Sequence, residues 1–495
     1  MCLRGCRGAA QGGVGIAMGD RASVSDTFTN LDNRAAKRFN FQPLKRSASH
    51  PRFALDCKYT TIFTIRQILA YKKRLQKYAR GEVAIRKFFL PLHTKFAKSD
   101  STMFELSLTL PVIVSAGVLL IAVLWLLIFW RHYVASVSRR VAADADAELP
   151  EGPRAYPQVS IVVYSDDDAE QLRTLLPQLL SQDYPEQYDV IVVNDGGLAS
   201  IKDVIARLEQ TYSNLYMTFT PMYSRSVSRK KLAATLGIKA ARYEVVMHVT
   251  GNCRIESPLW LRHMCRHFGE GKEVVIGYAY PVAADEEVAD PSRRLHGFSY
   301  LRTAVEYLSW AIAGRPYRGT ACNLAYRRSV FFRHNGFSKT LNLKNGDDDV
   351  FVNEVANGEN TAVELSPESM VEVVQQNPAA MHRHDKINYD FTGRMIRRGA
   401  PRFFAVCSWA WWIALGATVA LSLFGLPSLL PLIAGVVVLL VTWIVMMLTW
   451  RRAARALHMP EAFFTFPWFM SVHPFYTLLY RWRGWRKRNT HYTWQ

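Results

Sequence analysis

Residues 156–197 read "YPQVSIVVYSDDDAEQLRTLLPQLLSQDYPEQYDVIVVNDGG". "VSIVVY" and "VIVVN" are short β-branched runs, the pattern of strands buried on both faces of a parallel sheet. Between them "AEQLRTLLPQLLSQ" sets its leucines at helical spacing. Strand, helix, strand makes a βαβ unit, and sheets of this kind take ligands beyond the carboxyl ends of their strands. Polar residues gather at those ends: Ser165 to Asp168 after the first run and Asn194 to Gly197 after the second. Further on, "KKLAATLGIKAA" predicts another helix and "YEVVMHV" another strand, closed by Thr250, Gly251 and Asn252. The reading is an α/β domain of nucleotide-binding type.

A second stretch raises a chemical question. "LNLKNGDDDVFVNEV", residues 341–355, sets Asp347, Asp348 and Asp349 side by side, although adjacent like charges repel. Gly346 lets the chain turn, and the acids precede the helical "VFVNEVAN". A solvated turn, a helix cap and the working acids of an active site all place aspartates there. One cap explains one aspartate, not three.

Half of the 495 residues are hydrophobic, and the apolar ones are bunched. Leu108–Trp130, Phe403–Gly425 and Leu429–Trp450 carry no charge, show no polar face and have the length of membrane-spanning helices. Arg131, Arg139 and Arg140 follow the first; Arg394, Arg397, Arg398 and Arg402 precede the second; Arg451 and Arg452 follow the third. Positive charge marks the cytoplasmic side, so residues 131–402 are expected in the cytoplasm. "FFTFPWFMSVHPFYTLLY" is broken by Pro467 and Pro474, and a fourth span would put "RWRGWRKR" outside. An interfacial segment fits it better.

The net charge of +20 suggests a nucleic-acid partner until it is located. Residues 1–102 hold 20 Lys and Arg against 6 Asp and Glu, leaving 41 basic and 35 acidic residues for the rest. No nucleic-acid partner is expected. The head shows no apolar periodicity and is read as disordered or as an over-extended start, with the working protein beginning near Met103. The seven cysteines, at 2, 6, 57, 253, 265, 322 and 407, show no metal-type pairing and read as free thiols.

Several pieces then fall in one order: "VSIVVY"; "VIVVNDGG"; "SRKKLAATLGIKAA"; "SPLWL"; "GTACNLAYRRSVFFRHNGF"; "GDDDVFVNE"; "HRH". Over residues 157–395 the chain resembles a membrane-anchored family 2 glycosyltransferase with the GT-A fold, of the bacterial cell-envelope or exopolysaccharide type. With the segments read from charge and hydropathy, the resemblance completes a segmental plan. Residues 1–102 are the basic extension, 103–131 the first transmembrane helix and 132–156 an acidic linker. The GT-A domain follows at 157–395, transmembrane helices two and three at 396–452, and an interfacial aromatic and basic segment at 453–495. It implies a multi-pass protein of the bacterial cytoplasmic membrane that moves a sugar, with inversion, from a nucleotide-sugar, UDP-linked, to a polysaccharide or lipid-linked acceptor.

Such an enzyme deprotonates an acceptor hydroxyl with a general base, and a carboxylate whose acidity is weakened by neighbouring acids suits that role. The resemblance puts the base at Asp348, with Asp347 or Asp349 orienting the acceptor. It places Asp195 on the base or ribose of the nucleotide and Tyr164 against the base. Lys230, Lys231 and Arg383 are expected near the phosphates and Asn323 in the donor site. Two departures matter. Where the family carries D-x-D for Mg²⁺ or Mn²⁺, this chain has Thr250-Gly251-Asn252, so Asn252 is left as a single carbonyl ligand. The Gln-x-x-Arg-Trp motif of processive synthases is missing around "MHRHDKINYDF". A catalytically impaired scaffold that only binds nucleotide is therefore the alternative reading. The aromatic stretch 298–314 is expected as a helix, lying along the membrane or packed in the domain.

Overall fold

The computed structural model describes residues 109–486 except 153–154, 166–168, 196, 222–227, 285–292, 342, 397–399 and 462–463. All of these belong to one compact unit, Lys95–Gln495. The readings of the basic head, of Asp166–Asp168, Gly196, Arg397 and Arg398 lie outside the described residues.

The strands are β1 (Val159–Ser165), β2 (Tyr188–Asn194), β3 (Leu215–Phe219), β4 (Val245–Thr250), β5 (Cys253–Arg254) and β6 (Val274–Ile276). They continue with β7 (Ala279–Ala283), β8 (Leu324–Arg327), β9 (Thr361–Val363) and β10 (Val371–Gln375). Seven form a sheet in the order β3-β2-β1-β4-β8-β6-β9, and β5, β10 and β7 form a small second one. The run β3-β2-β1-β4 is parallel throughout, and β8 is antiparallel to both β4 and β6. Ile161, Val163, Val190 and Val192 are fully buried, as the unbroken apolar runs require.

The chain steps outward from β1 to β2 and β3, then crosses back to β4 on the other side of β1. That reversal opens a crevice beyond the carboxyl ends of β1 and β4, where Tyr164 lies opposite Thr250.

The helices, in chain order, are α1 (Leu110–Phe129), α2 (Ala135–Ala145), α3 (Ala169–Leu180), α4 (Ala199–Leu208), α5 (Arg229–Ala240) and α6 (Trp260–Cys265). There follow α7 (Arg293–Ile312), α8 (Arg328–Arg333), α9 (Asp349–Val355), α10 (Pro378–Thr392), α11 (Ala400–Phe424), α12 (Leu430–Ala456) and α13 (Phe466–Arg486). The three strands and two helices read from the first motifs are present. Helix α5 lies tight against the sheet: a Cβ on Gly237 would stand 2.3 Å from Val162 Cγ1. No other residue allows that approach.

Three helices among the described residues are long and apolar enough to cross a membrane: Leu110–Ala145, Arg402–Phe424 and Leu430–Ala456. Outward-facing Ile121, Ile413, Val419, Val437 and Val441 are exposed along them. The first does not stop at its arginines. It runs through a π-helical turn, Trp130–Val134, into α2. The first acid of the expected linker, Asp144, lies in this helix and is held by ion pairs. Asp144 accepts from Arg140 Nε at 2.8 Å and meets Arg266 at 3.3 Å, and Arg266 donates to Glu364 at 2.7 Å. His267 Nε2 lies 2.9 Å from the same Glu364 oxygen. Burial works against the Glu364 charge, but His267 and Arg266 outweigh it and hold the carboxyl below its usual range.

Helix α7 packs in the core rather than lying on a surface: Phe298, Leu301 and Leu308 are buried, and Phe298 meets Trp450 and Phe469. The prolines of the last segment do not break it. Pro467 sits in the first turn of α13, where it costs no hydrogen bond, and Pro474 is carried inside the helix. Packing against α11 compensates: Trp411 and Trp412 donate their indole N–H groups to Ser471 at 3.0 and 3.1 Å.

Candidate active site

The acid run sits on the start of α5. Ser228 Oγ donates to the carbonyl of Lys344 at 2.8 Å, and Lys231 Nζ donates to that of Thr340 at 2.7 Å. Lys231 is fully enclosed, and burial pushes its ammonium down to about 8. Its side chain braces the acid loop and does not enter the crevice. The chain then turns at Gly346, whose φ of +102° lies in the region that favours glycine.

The three acids have different surroundings, though each is less than a tenth exposed. Asp347 is paired with Lys230, Oδ2 to Nζ 2.8 Å. Its burial is outweighed by that ammonium, so Asp347 stays below the usual carboxylate range and Lys230 is held well above its own. Asp349 accepts from the Thr392 hydroxyl and from the N–H of Val350, and Arg318 stands 3.8 Å away.

Among the described residues no cation forms an ion pair with Asp348, though Lys230 and Arg318 act on it from further off. Its Oδ1 caps α9 by accepting from the Asp349 N–H at 2.8 Å, and its Oδ2 faces the Tyr389 hydroxyl at 3.5 Å. Burial, then the charges of Asp349 and Asp347, raise its pKa to about 7. The cap is thus real, and it belongs to the one acid with a loosely held oxygen.

Residues outside the motifs complete the cluster. Arg318 lies over the Tyr389 ring, 3.4 Å from its centroid, so one cation serves Asp349 and steadies the ring beside Asp348. Tyr389 and Thr392 are three positions apart on α10, which puts them on one face. That spacing was available in "HDKINYDFT". Nothing in the sequence alone pairs it with residue 318 or residue 348.

At the end of β2, Asp195 is enclosed by protein groups. It accepts from Tyr164 Oη at 3.2 Å, from Arg229 Nε at 3.0 Å and from the Thr220 hydroxyl. Burial opposes its charge, but Arg229 and Thr220 outweigh burial and keep it ionised. Arg229 and Thr220 are further members that motif reading did not supply. The remaining expected residues are dispersed. Asn323 is wholly buried: its Nδ2 donates to the carbonyls of Tyr278 and Ser369 at 2.9 and 2.8 Å, and its Oδ1 accepts from Trp260 Nε1 at 3.2 Å. Arg383 is exposed on α10, with its Nε bonded back to the carbonyl of Ala379.

At the end of β4, Thr250 Oγ1 donates to Asn252 Oδ1 at 2.7 Å and lies 3.2 Å from the sulfurs of both Cys253 and Cys322. Hard divalent cations are held by carboxylate and carbonyl oxygens. Two neutral side chains bonded to each other beside two thiols do not fit a carboxylate-held Mg²⁺ or Mn²⁺. Among the described residues, no group of three or more His, Cys, Asp or Glu side chains is arranged for a metal.

No family model matches the sequence, and no curated protein does. Among solved structures, a mannosyltransferase from Pyrobaculum calidifontis, in complex with GDP-Man and Mn²⁺, is similar at 17% identity and a TM-score of 0.42. The match covers 69% of this chain and 99% of that one.

Proposed function

We propose that the chain is an inverting glycosyltransferase of the family 2, GT-A type, anchored in the bacterial cytoplasmic membrane with its α/β domain on the cytoplasmic face. It moves a sugar from a UDP-linked donor to an envelope polysaccharide or lipid-linked acceptor. The observation that carries this reading is the sorting of the acid run into two aspartates anchored by Lys230 and by Arg318 with Thr392, and one, Asp348, left facing only the Tyr389 hydroxyl and its own helix cap, where burial and its acidic neighbours raise its pKa to about 7. A base matched to neutral pH is what deprotonation of a hydroxyl calls for.

In this mechanism the nucleotide lies across the carboxyl ends of β1, β2 and β4, with Tyr164 and Asp195 at its base or ribose. An acceptor hydroxyl gives its proton to Asp348 Oδ2 as its oxygen bonds to the anomeric carbon. The bond from that carbon to the phosphate oxygen breaks, and the diphosphate leaves with the electron pair. Lys230, half-buried between Asp347 and the crevice, is the cation best placed to meet the leaving charge. No step is routed through a metal.

The test uses the full chain in detergent with a panel of UDP-sugars, with Mn²⁺, Mg²⁺ or chelator, reading nucleotide release. Asp348→Asn should lower release by about a hundredfold or more. Undiminished release would exclude Asp348 as the base. The neutral pair Thr250 and Asn252 favours a second reading, a scaffold that binds nucleotide without turnover. UDP binding with no release from any donor and acceptor supplied would support it.

A further inference from the structure

Beside the acid cluster lies an open cavity of about 870 Å³, lined by residues of α7, α10, α11 and α13. Its lining is strongly cationic. Arg302, Arg318, Lys386, Arg394, Arg402 and Arg481 face it, against two acids, Glu306 and Asp390. Some of these charges are already used. Arg481 is bound to Asp390 at 2.9 Å, Arg394 reaches the same carboxylate at 4.0 Å, and Arg302 is held by the Phe404 carbonyl and the Ser408 hydroxyl. Lys386 and Arg402 make no hydrogen bond or ion pair with any described residue. Burial together with the neighbouring charges of Arg302 and Arg318 pushes the Lys386 ammonium down to about 8, despite the pull of Glu306. A concave surface with more cations than anions is short of a counter-ion.

The two ends of the cavity differ. At one end stand Arg318 and Tyr389, the residues in contact with Asp349 and Asp348. At the other, Ala405, Ser408 and Trp409 come from the first turns of the span Arg402–Phe424, and Pro474 and Leu478 from α13. Helix α13 leaves Trp468, Phe475, Leu479 and Trp482 exposed beside that span. Phosphate is recognised by converging arginine and lysine groups, and a lipid chain by an apolar wall continuous with a membrane-spanning helix.

We infer that this cavity seats the phosphate or diphosphate head of a lipid acceptor. Its chain runs along the α11 and α13 wall, and a hydroxyl of the sugar carried on that head reaches past Tyr389 to Asp348. This rests on the glycosyl-transfer reading and narrows it: the acceptor is an anionic lipid, not a neutral polysaccharide. Lys386 and Arg402 hold the phosphate, and Arg302 closes on it.

The experiment titrates the full chain in phosphatidylcholine nanodiscs with farnesyl diphosphate, inorganic pyrophosphate and farnesol, and separately with UDP. Farnesyl diphosphate should bind, and both partial probes should bind at least tenfold more weakly. Lys386→Met should weaken farnesyl diphosphate about tenfold to a hundredfold, the scale of one lost charge-assisted bond, and leave UDP unchanged. Arg402→Gln, at an exposed position, is the companion variant and should do the same. Equal binding of farnesyl diphosphate to wild type and both variants overturns the site. Pyrophosphate binding as tightly as farnesyl diphosphate makes it a free-phosphate site, and farnesol binding as tightly makes it an apolar groove; either result overturns the lipid assignment. The two readings fail separately. Lipid diphosphate bound without UDP refutes the transferase and keeps the cavity, whereas UDP bound without lipid diphosphate does the reverse.

Discussion

Replacing Asp348 by asparagine should lower turnover about a hundredfold or more and, above neutral pH, make the protein more stable. In the folded chain this carboxyl keeps its proton up to about pH 7, and its ordinary value is 3.8. Between those limits the folded state binds a proton that the unfolded state has released, so stability falls as pH rises through the window. Three powers of ten in proton affinity, at 1.36 kcal/mol each, bound the cost of ionising it at about 4 kcal/mol. Coupling to Asp347 and Asp349 brings the expected gain down to about 2–4 kcal/mol at pH 8.

Asparagine keeps the other duty of the residue. Its amide oxygen can accept from the Asp349 N–H as Oδ1 does, and asparagine caps helices as well as aspartate. The measurement is thermal unfolding of the full chain and of Asp348→Asn, in one detergent, at pH 5 and pH 8. The variant should melt higher at pH 8, and most of that gain should vanish at pH 5, where the native carboxyl is already protonated. A variant no more stable than wild type at pH 8, or equally stabilised at both values, would refute the claim that Asp348 stores electrostatic strain.

Three further outcomes follow from the same geometry. Lys230→Met leaves Asp347 buried without its cation and should cost about 3 kcal/mol in unfolding experiments, with Lys230→Met/Asp347→Asn recovering most of it. Because Lys230 also lowers the proton affinity of Asp348, the single variant should shift the rising limb of the pH–rate profile to higher pH. Gly346→Ala forces a side chain into φ +102° and 3.1 Å from Val350 Cγ2. It should destabilise by about 1–3 kcal/mol and depress kcat more than nucleotide affinity, as thermal melts and UDP titrations would show. Asn323→Ala leaves the buried Ser369 carbonyl and the Trp260 indole without the partner they have here, and takes one of two donors from the Tyr278 carbonyl, which keeps the Val371 N–H. It should cost about 2–4 kcal/mol in thermal melts, while calorimetry finds UDP affinity little changed in the protein that still folds.

The local layer of this fold is legible because single segments decide it. β-Branched runs with polar ends mark β1, β2 and β4, leucines at helical spacing mark α3, and uncharged stretches of about twenty residues mark the spans. What escapes is set by distant partners. Acidic composition after the first span suggests a loose linker, yet Asp144 is buried against Arg266, more than a hundred positions away, and the helix continues. Pro467 and Pro474 suggest a break, and packing on α11 removes it. The same holds for the candidate site. The crowding of Asp347, Asp348 and Asp349 is visible as a problem of repulsion. Its resolution depends on Lys230, Arg318, Tyr389 and Thr392, which come from three other segments.

How that repulsion is resolved explains why three acids are present. One buried aspartate with its own cation would be fully ionised and a weak base, as Asp347 is. One aspartate with no charged neighbours would depend on burial alone for its raised proton affinity. Here Lys230 and Arg318 bind the outer members, keeping two negative charges fixed on either side of Asp348, and those charges add to desolvation in raising its proton affinity. The cations also limit the effect, since both lower what the acids raise. The middle acid is brought near neutrality by its neighbours, and Arg318 joins it to the cationic cavity through Tyr389. An anionic head entering that cavity would draw on the charge of Arg318 and leave Asp349 less compensated. The proton affinity of Asp348 should then rise further when the acceptor is bound, so the base would be strongest with its substrate in place.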